Sequence, residues 1–217
     1  MPPATPIAPR RRPIGRGRPF RRLRTVFLAA GLLGAFAAGA QAPGRELLNS
    51  ERIEQAFGNY GIEVLTSDGR ARVSNLYSTQ RDEKTCRTFA VVLYPATVDP
   101  AVAAEHASIL SGGSMGAVFA ARGWRVLKTH LAFREMDATP RLASLMHVAP
   151  GTRLAEHAYV LDVEKGGQRI EYAALVEIHH PDYLRTSDLE RIYGPANPGT
   201  RGALLQELLS AAARAAR

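Results

Sequence analysis

Glu177 is the residue whose type and position best suit chemistry. It alternates with Glu171, Ala173, Leu175 and His179, so one face of a strand would carry apolar groups, two carboxylates and an imidazole. Such a mixed face suits a partly closed cleft. Burial there would raise the pKa of Glu177, as a general acid requires. The alternative is a strand-end glutamate that pairs with an arginine.

Arg87 is the second candidate because it interrupts the nearly apolar run 85–94, TCRTFAVVLY. An unpaired charge is costly to bury, so the guanidinium needs a partner. That partner is either a bound anion or Glu177, and a ligand could displace an internal pair of the two.

The histidines raise the question of a metal. His179 shares the face of Glu177, whereas His180 should point to the opposite face of the strand. His147 and His157 are nearby in sequence, but no spacing matches a known ligand motif, so no metal is predicted. No nucleotide fingerprint, paired-cysteine motif or Ser-His-Asp order is present, and no cofactor is predicted.

A glycine-rich segment at 112–116, GGSMG, could bind an anion at the start of a helix. The usual phosphate loops follow a strand, whereas this segment follows a helix, which favours a flexible joint between helices. Gly113 is a candidate ligand-binding residue, as are Tyr172 and His179.

These candidates depend on a hairpin over 150–184. Residues 159–164 alternate, Gly166-Gly167 supplies a two-residue turn, and a return strand begins near Arg169. Strict alternation puts Tyr172 on one face with Ile170, Ala174, Val176 and Ile178. Pro181 ends the strand, because proline has no N–H to donate to a sheet.

The remaining elements predict an α+β fold with an antiparallel sheet and flanking helices. Helices are expected at 50–57, 100–110, 114–122, 141–148, from 187, and 203–215. Strands are expected at 62–66, 72–77, 85–94 and 124–131, followed by a polar connection over 134–139. Cys86 alone cannot form an internal disulfide and is expected to be a small buried apolar residue.

The short helix, the Pro150-Gly151-Thr152 turn, the glycine turn and the strand ending in E-x-x-x-P-x-Y-L together resemble the C-terminal half of chorismate lyase. They are similar also to the UTRA ligand-binding domains of bacterial transcription regulators, which share that fold. The resemblance implies that Glu177 handles a proton at a leaving enol ether and that Arg87 grips a substrate carboxylate. It also implies that 112–116 could form a flap over the cleft.

The first 42 residues predict an export signal. Eight arginines lie within residues 1–24, an apolar run follows to Ala40, and Ala40-Gln41-Ala42 fits signal peptidase. The chain has 28 basic and 20 acidic residues, so 20 of each remain after Ala42. The excess of basic residues thus lies in the predicted export signal, and it gives no argument for nucleic-acid binding by the domain at 43–217. The predicted location is periplasmic or secreted, with membrane attachment only through an uncleaved leader.

The sequence leaves three functions open, and it does not decide whether the protein is an enzyme. The first is an exported domain that binds a small anionic or aromatic carboxylate between Arg87 and Glu177. The second is a lyase-type enzyme acting on an aromatic carboxylate. The third is a structural or partner-binding envelope protein. The ligand and the oligomeric state are not predicted.

Overall fold

The computed structural model describes residues 46–217, which form an antiparallel sheet with helices on both faces. The predicted export signal, residues 1–42, lies outside the described residues. The helices are α1 (Asn49–Phe57), α2 (Ala103–Leu110), α3 (Met115–Ala121), α4 (Pro140–Met146), α5 (Thr186–Tyr193) and α6 (Gly202–Ala215). The strands are β1 (Gly61–Ser67), β2 (Ala71–Gln80), β3 (Glu83–Leu93), β4 (Arg125–Asp137), β5 (Arg153–Lys165) and β6 (Gln168–His179).

The strand order is β1-β2-β3-β6-β5-β4, and every neighbouring pair is antiparallel. Two three-stranded meanders thus meet where β3 pairs with β6. The predicted α+β class with an antiparallel sheet is confirmed. None of the helices described between residues 46 and 217 is long and apolar enough to cross a membrane.

One face of the sheet is covered by α4 and α6. Leu142 and Met146 of α4 and Leu208 and Ala212 of α6 pack against strand residues such as Val176, and all of these are fully buried. Burying a large aliphatic side chain stabilises a fold by about 1.5–3 kcal/mol, so this layer is a major source of stability. Cys86 belongs to it with no exposed surface, as predicted.

The opposite face carries the candidate residues and is covered by α1, α2, α3 and α5. Ile53 of α1, Ile109 of α2, Phe119 of α3 and Leu189 of α5 are fully buried against it. Ile109 and Phe119 share one apolar cluster with the sheet, whereas Ile53 and Leu189 belong to two others. A space remains between the starts of α1 and α3.

Two features of the strands differ from the predictions. Residues 134–137 continue β4 and pair with residues 153–156 of β5, so the predicted polar connection is wrong there. Arg153 also forms ion pairs with Glu135 and Asp137 across the two strands. In β6, Tyr172 has no pairing partner in β5, because Leu161 pairs with Ala173 and the next residue, Asp162, pairs with Glu171. This β-bulge turns Tyr172 to the face of Leu175, and the predicted face of Tyr172 is therefore wrong.

Candidate functional site

A cavity lies against the sheet between the start of α1 and the start of α3. Each of the six strands contributes to its wall. Apolar side chains form most of the floor, including Leu76, Val92 and Leu175. The polar and charged groups among the lining residues are Asn49, Ser50, Tyr60, Arg72, Ser74, Ser114, Lys128, Tyr159 and Glu177.

The cavity is large enough for more than one water molecule. About 60 Å³ is open to the centres of water-sized molecules. A single water needs about 10–15 Å³ on the same measure, so the cavity has room for a small molecule.

Lys128 brings a positive charge to the β4 side of the cavity. Its Nζ donates a hydrogen bond to Glu46 Oε1 at 2.8 Å and lies 5.2 Å from the ring centre of Tyr159. Burial alone would lower the pKa of Lys128, but Tyr193, Glu177 and Glu46 together raise it above its ordinary value. The ammonium group is therefore charged at neutral pH.

Arg72 brings a second positive charge from β2, and only 1% of it is exposed. Its Nε donates to Ser74 Oγ at 2.8 Å, and its Nη1 donates to the carbonyl oxygens of Ile109 and Gly113. Within residues 46–217 its Nη2 has no hydrogen-bond partner, and no ion pair joins it to a carboxylate. Arg72 thus holds the connection between α2 and α3 in place, and no carboxylate of residues 46–217 forms an ion pair with it.

Glu177 lies on the β6 side of the cavity and is 5% exposed. Asn49 of α1 donates from Nδ2 to Glu177 Oε1 at 3.0 Å. Burial raises the pKa of the carboxyl group, although Lys128 and Asn49 oppose the shift. A carboxyl group in this setting can hold or release a proton nearer to neutral pH than an exposed glutamate can.

Two histidines approach the other oxygen of Glu177. His157 pairs with Glu177 across β5 and β6, and its Nδ1 lies 4.0 Å from Oε2. His179 Nε2 lies 3.9 Å from the same oxygen. Both distances are too long for hydrogen bonds. The structure therefore brings His157 to the predicted pair Glu177 and His179.

Arg87 is placed apart from Glu177. It forms a bulge in β3, because its neighbours Cys86 and Thr88 pair with consecutive residues of β2 and leave it without a pairing partner there. It does not line the cavity. Its Nε donates to Ser78 Oγ at 2.8 Å, and its guanidinium lies 3.9 Å from the ring centre of Phe57. No ion pair joins Arg87 to Glu177, and Lys128 is the cation that influences this carboxylate.

Tyr172 and Gly113 also lie outside the cavity wall. The hydroxyl of Tyr172 forms a 2.8 Å hydrogen bond with His106 Nδ1, and its ring packs against Phe119. Gly113 joins α2 to α3, as the predicted helix joint requires. A Cβ at Gly113 would lie 2.9 Å from the carbonyl oxygen of Ser108, so only glycine fits without a shift.

Sequence reasoning missed Arg72 and Lys128 as site residues. A signal for Arg72 was present, since Arg72, Ser74 and Leu76 alternate with Val73 and Asn75 along β2. Alternation shows that these side chains share a face. It does not show that α1 and α3 leave that part of the face uncovered.

No protein-family model matches this chain, and no curated protein sequence matches it. The solved structures that match include three that cover 58% of the chain. The first is the ligand-binding domain of a GntR-family transcriptional regulator from Bordetella bronchiseptica, which is 14% identical, is covered over 88% of its length and has a TM-score of 0.39. The second is the C-terminal domain of Yurk from Bacillus subtilis, with 14% identity, 89% coverage and a TM-score of 0.35. The third is a GntR-family transcriptional regulator from Enterococcus faecalis, with 11% identity, 93% coverage and a TM-score of 0.35. At this level of similarity, the function of the chain has to be argued from its own side chains.

Proposed function

We propose that this chain is a binding domain for a small anionic molecule, held in the cavity between α1, α3 and the sheet. The observation that carries the proposal is the pair of buried cations, Arg72 and Lys128, in the cavity wall. Only Lys128 of the two has a carboxylate partner within the described residues, and that partner, Glu46, is partly exposed. A bound carboxylate or phosphate would supply the missing negative charge.

The rest of the wall favours a ligand with an apolar or aromatic body. Leu76, Val92 and Leu175 offer apolar surface, and Tyr60 and Tyr159 also line the cavity. An aromatic carboxylate would place its ring on this surface and its charged group near a cation. Arg72, Lys128 and Glu177 are the proposed contacts. The ligand roles of Arg87, Tyr172, His179 and Gly113 remain predictions.

A lyase-type enzyme acting on an aromatic carboxylate is the second candidate function. The observation that favours it is the buried carboxyl group of Glu177, whose pKa is raised where it lines the cavity. A group of this kind can act as a general acid toward a bound substrate. Glu177→Gln would then retain the ligand and lose turnover, whereas a pure binding domain would show no turnover at all.

The test is thermal unfolding of the protein with benzoate, salicylate, succinate and a hexose phosphate. A ligand that binds only the folded state at 100 times its Kd should raise Tm by roughly 5–10 °C. Lys128→Met should abolish the shift. Arg125→Met is the matched control, because it removes the same charge from the same strand at a position where the side chain is 63% exposed.

The proposal is contradicted if none of the four compounds raises Tm. It is also contradicted if Lys128→Met and Arg125→Met respond equally to the compound that does. A shift confined to the hexose phosphate would support an anion site and exclude the aromatic preference.

A further inference from the structure

His157, Glu177 and His179 form a buried group of potential ligands beside the cavity. One ligand atom from each residue lies within 4.8 Å of the ligand atoms of the other two. The side chains of the two histidines are 0% and 1% exposed, and that of Glu177 is 7% exposed. The group is therefore shielded from water on every side except where Glu177 lines the cavity.

The two nitrogens that face Glu177 have no hydrogen-bond partner in the described part of the chain. They are Nδ1 of His157 and Nε2 of His179. Buried polar atoms are rarely left without a partner, because the loss of hydration costs about 1–3 kcal/mol each. Two such atoms directed at one carboxylate oxygen indicate that a third species belongs between them.

The opposite nitrogen of each histidine is already engaged. His157 Nε2 lies 2.9 Å from His130 Nδ1, and His179 Nδ1 lies 3.0 Å from Thr88 Oγ1. Metal-binding histidines are held in this way, by a hydrogen bond to the nitrogen that does not bind the metal. The arrangement lets each imidazole present a lone pair toward Glu177.

We infer that His157 Nδ1, His179 Nε2 and Glu177 Oε2 form a binding site for a divalent transition-metal ion of the zinc type. Two imidazoles and one carboxylate are a ligand set that such ions accept, with one or more positions left for water or an anion. Because Glu177 lines the cavity, those open coordination positions would face the cavity. The site is distinct from the proposed anion contacts on Arg72 and Lys128, and shares only Glu177 with them.

The distances permit this with a modest contraction. Ligands about 2.1 Å from a tetrahedral zinc ion are roughly 3.4 Å apart. The present N–O separations are 3.9 and 4.0 Å, and no two of the three ligand atoms are more than 4.8 Å apart, so each group would move by roughly half an ångström. Burial also lowers the pKa of both imidazoles, to about 3 for His179, and keeps the lone pairs free of protons at neutral pH. The nearby charge of Lys128 is partly neutralised by Glu46.

The test is titration of the untagged, EDTA-treated full chain with Co²⁺, followed by displacement with Zn²⁺. We expect one Co²⁺ per chain, with the intense visible absorption of a four- or five-coordinate ion. His157→Gln and His179→Gln should each weaken binding by about 100-fold or more, since even outer-shell changes cost 10–100-fold. His147→Gln is the control, because His147 is a 40% exposed histidine paired with Glu83 outside the group.

Should a histidine variant fail to fold, X-ray absorption of the zinc-loaded wild-type protein decides the question. Scattering from two imidazoles per zinc supports the site. A spectrum with oxygen ligands alone, or equal Co²⁺ affinity in His157→Gln and His147→Gln, overturns it. No organic ligand is present in this experiment, so its failure would leave the anion-binding proposal untouched.

Discussion

At the scale of single residues, burial keeps His157 and His179 neutral. It lowers the pKa of His179 to about 3 and that of His157 well below its ordinary 6.5. In the unfolded chain both imidazoles take up protons near pH 6.5, whereas the folded chain resists protonation until a lower pH. The stability that the neutral imidazoles contribute is thus fully present above pH 6.5 and is lost as the pH falls toward 3.

For the metal-free protein we therefore expect the free energy of unfolding to fall below about pH 6.5, with His179 contributing at most about 1.4 kcal/mol per pH unit. The charged groups that face His179 are Glu177, Lys128 and Arg52. Glu177 acts in the opposite direction, because its raised pKa favours the protonated form in the folded state. Urea unfolding between about pH 7 and pH 4 measures the slope.

The comparison with His179→Gln isolates the histidine, since Glu177 and Lys128 are present in both proteins. The variant should show a shallower loss of stability with falling pH. Equal slopes in the two proteins would mean that His179 titrates in the folded state as it does in the unfolded state.

The sequence placed Glu177 and His179 on one mixed face, because alternation along a single strand is a local property. It did not bring His157 to Glu177, since that meeting depends on the register of β5 against β6. A bound anion and Glu177 are the two partners that the sequence leaves open for Arg87, but Arg87 interrupts the regular pairing of β3 and contacts Phe57. Register and bulges are set by packing across the whole sheet, which residue spacing does not encode.

At the scale of elements, the turn between β5 and β6 was predictable because it requires glycine. Gly166 and Gly167 have φ angles of 59° and 81°, and Lys165 pairs with Gln168 on either side of them. Two positive φ angles in a two-residue loop are typical of a type I′ turn. The bulge at Tyr172 was not predictable, since nothing in the strand's composition marks the additional residue.

Substitutions in this turn should separate strain from steric contact. Gly166→Ala is expected to lower stability by about 1–2 kcal/mol, because a Cβ disfavours positive φ. Gly166→Asn should cost clearly less, since asparagine tolerates this conformation. A Cβ at Gly166 meets no atom within 4 Å, so no clash contributes. Urea unfolding midpoints report the difference.

Gly202→Ala is the control for this pair. Gly202 begins α6, has open space around its Cβ and is not in the positive-φ region. Alanine there should be neutral or slightly stabilising. Equal losses for Gly166→Ala and Gly166→Asn would argue against a turn that depends on positive φ.

At the scale of the whole molecule, the first 42 residues predict export of the chain. Residues 1–42 hold eight of the 28 basic residues and leave 20 basic and 20 acidic residues in the remainder. We expect the full chain, expressed in a bacterial host, to reach the periplasm or the medium with Pro43 as its first residue. A chain that begins at Pro43 after an initiating methionine should stay in the cytoplasm.

Cell fractionation and N-terminal sequencing give the result. Recovery of both chains from the same compartment would contradict the export prediction, and an intact leader in the membrane fraction would indicate an anchor. Neither result bears on the cavity, whose wall is built entirely from residues 48–177.

The pairing of β3 with β6 has a consequence for the order in which a nascent chain can fold. Ala90 and Glu177 are partners in this pair, and 87 positions separate them along the chain. During synthesis the backbone N–H and C=O groups along one edge of β3 stay unpaired until β6 has been made, and Phe89, Val91 and Val92 make this strand apolar on both faces. Such an open apolar edge is where a growing chain is most exposed to misassembly. The last residues to complete the sheet are thus also the ones that protect its first half from aggregation.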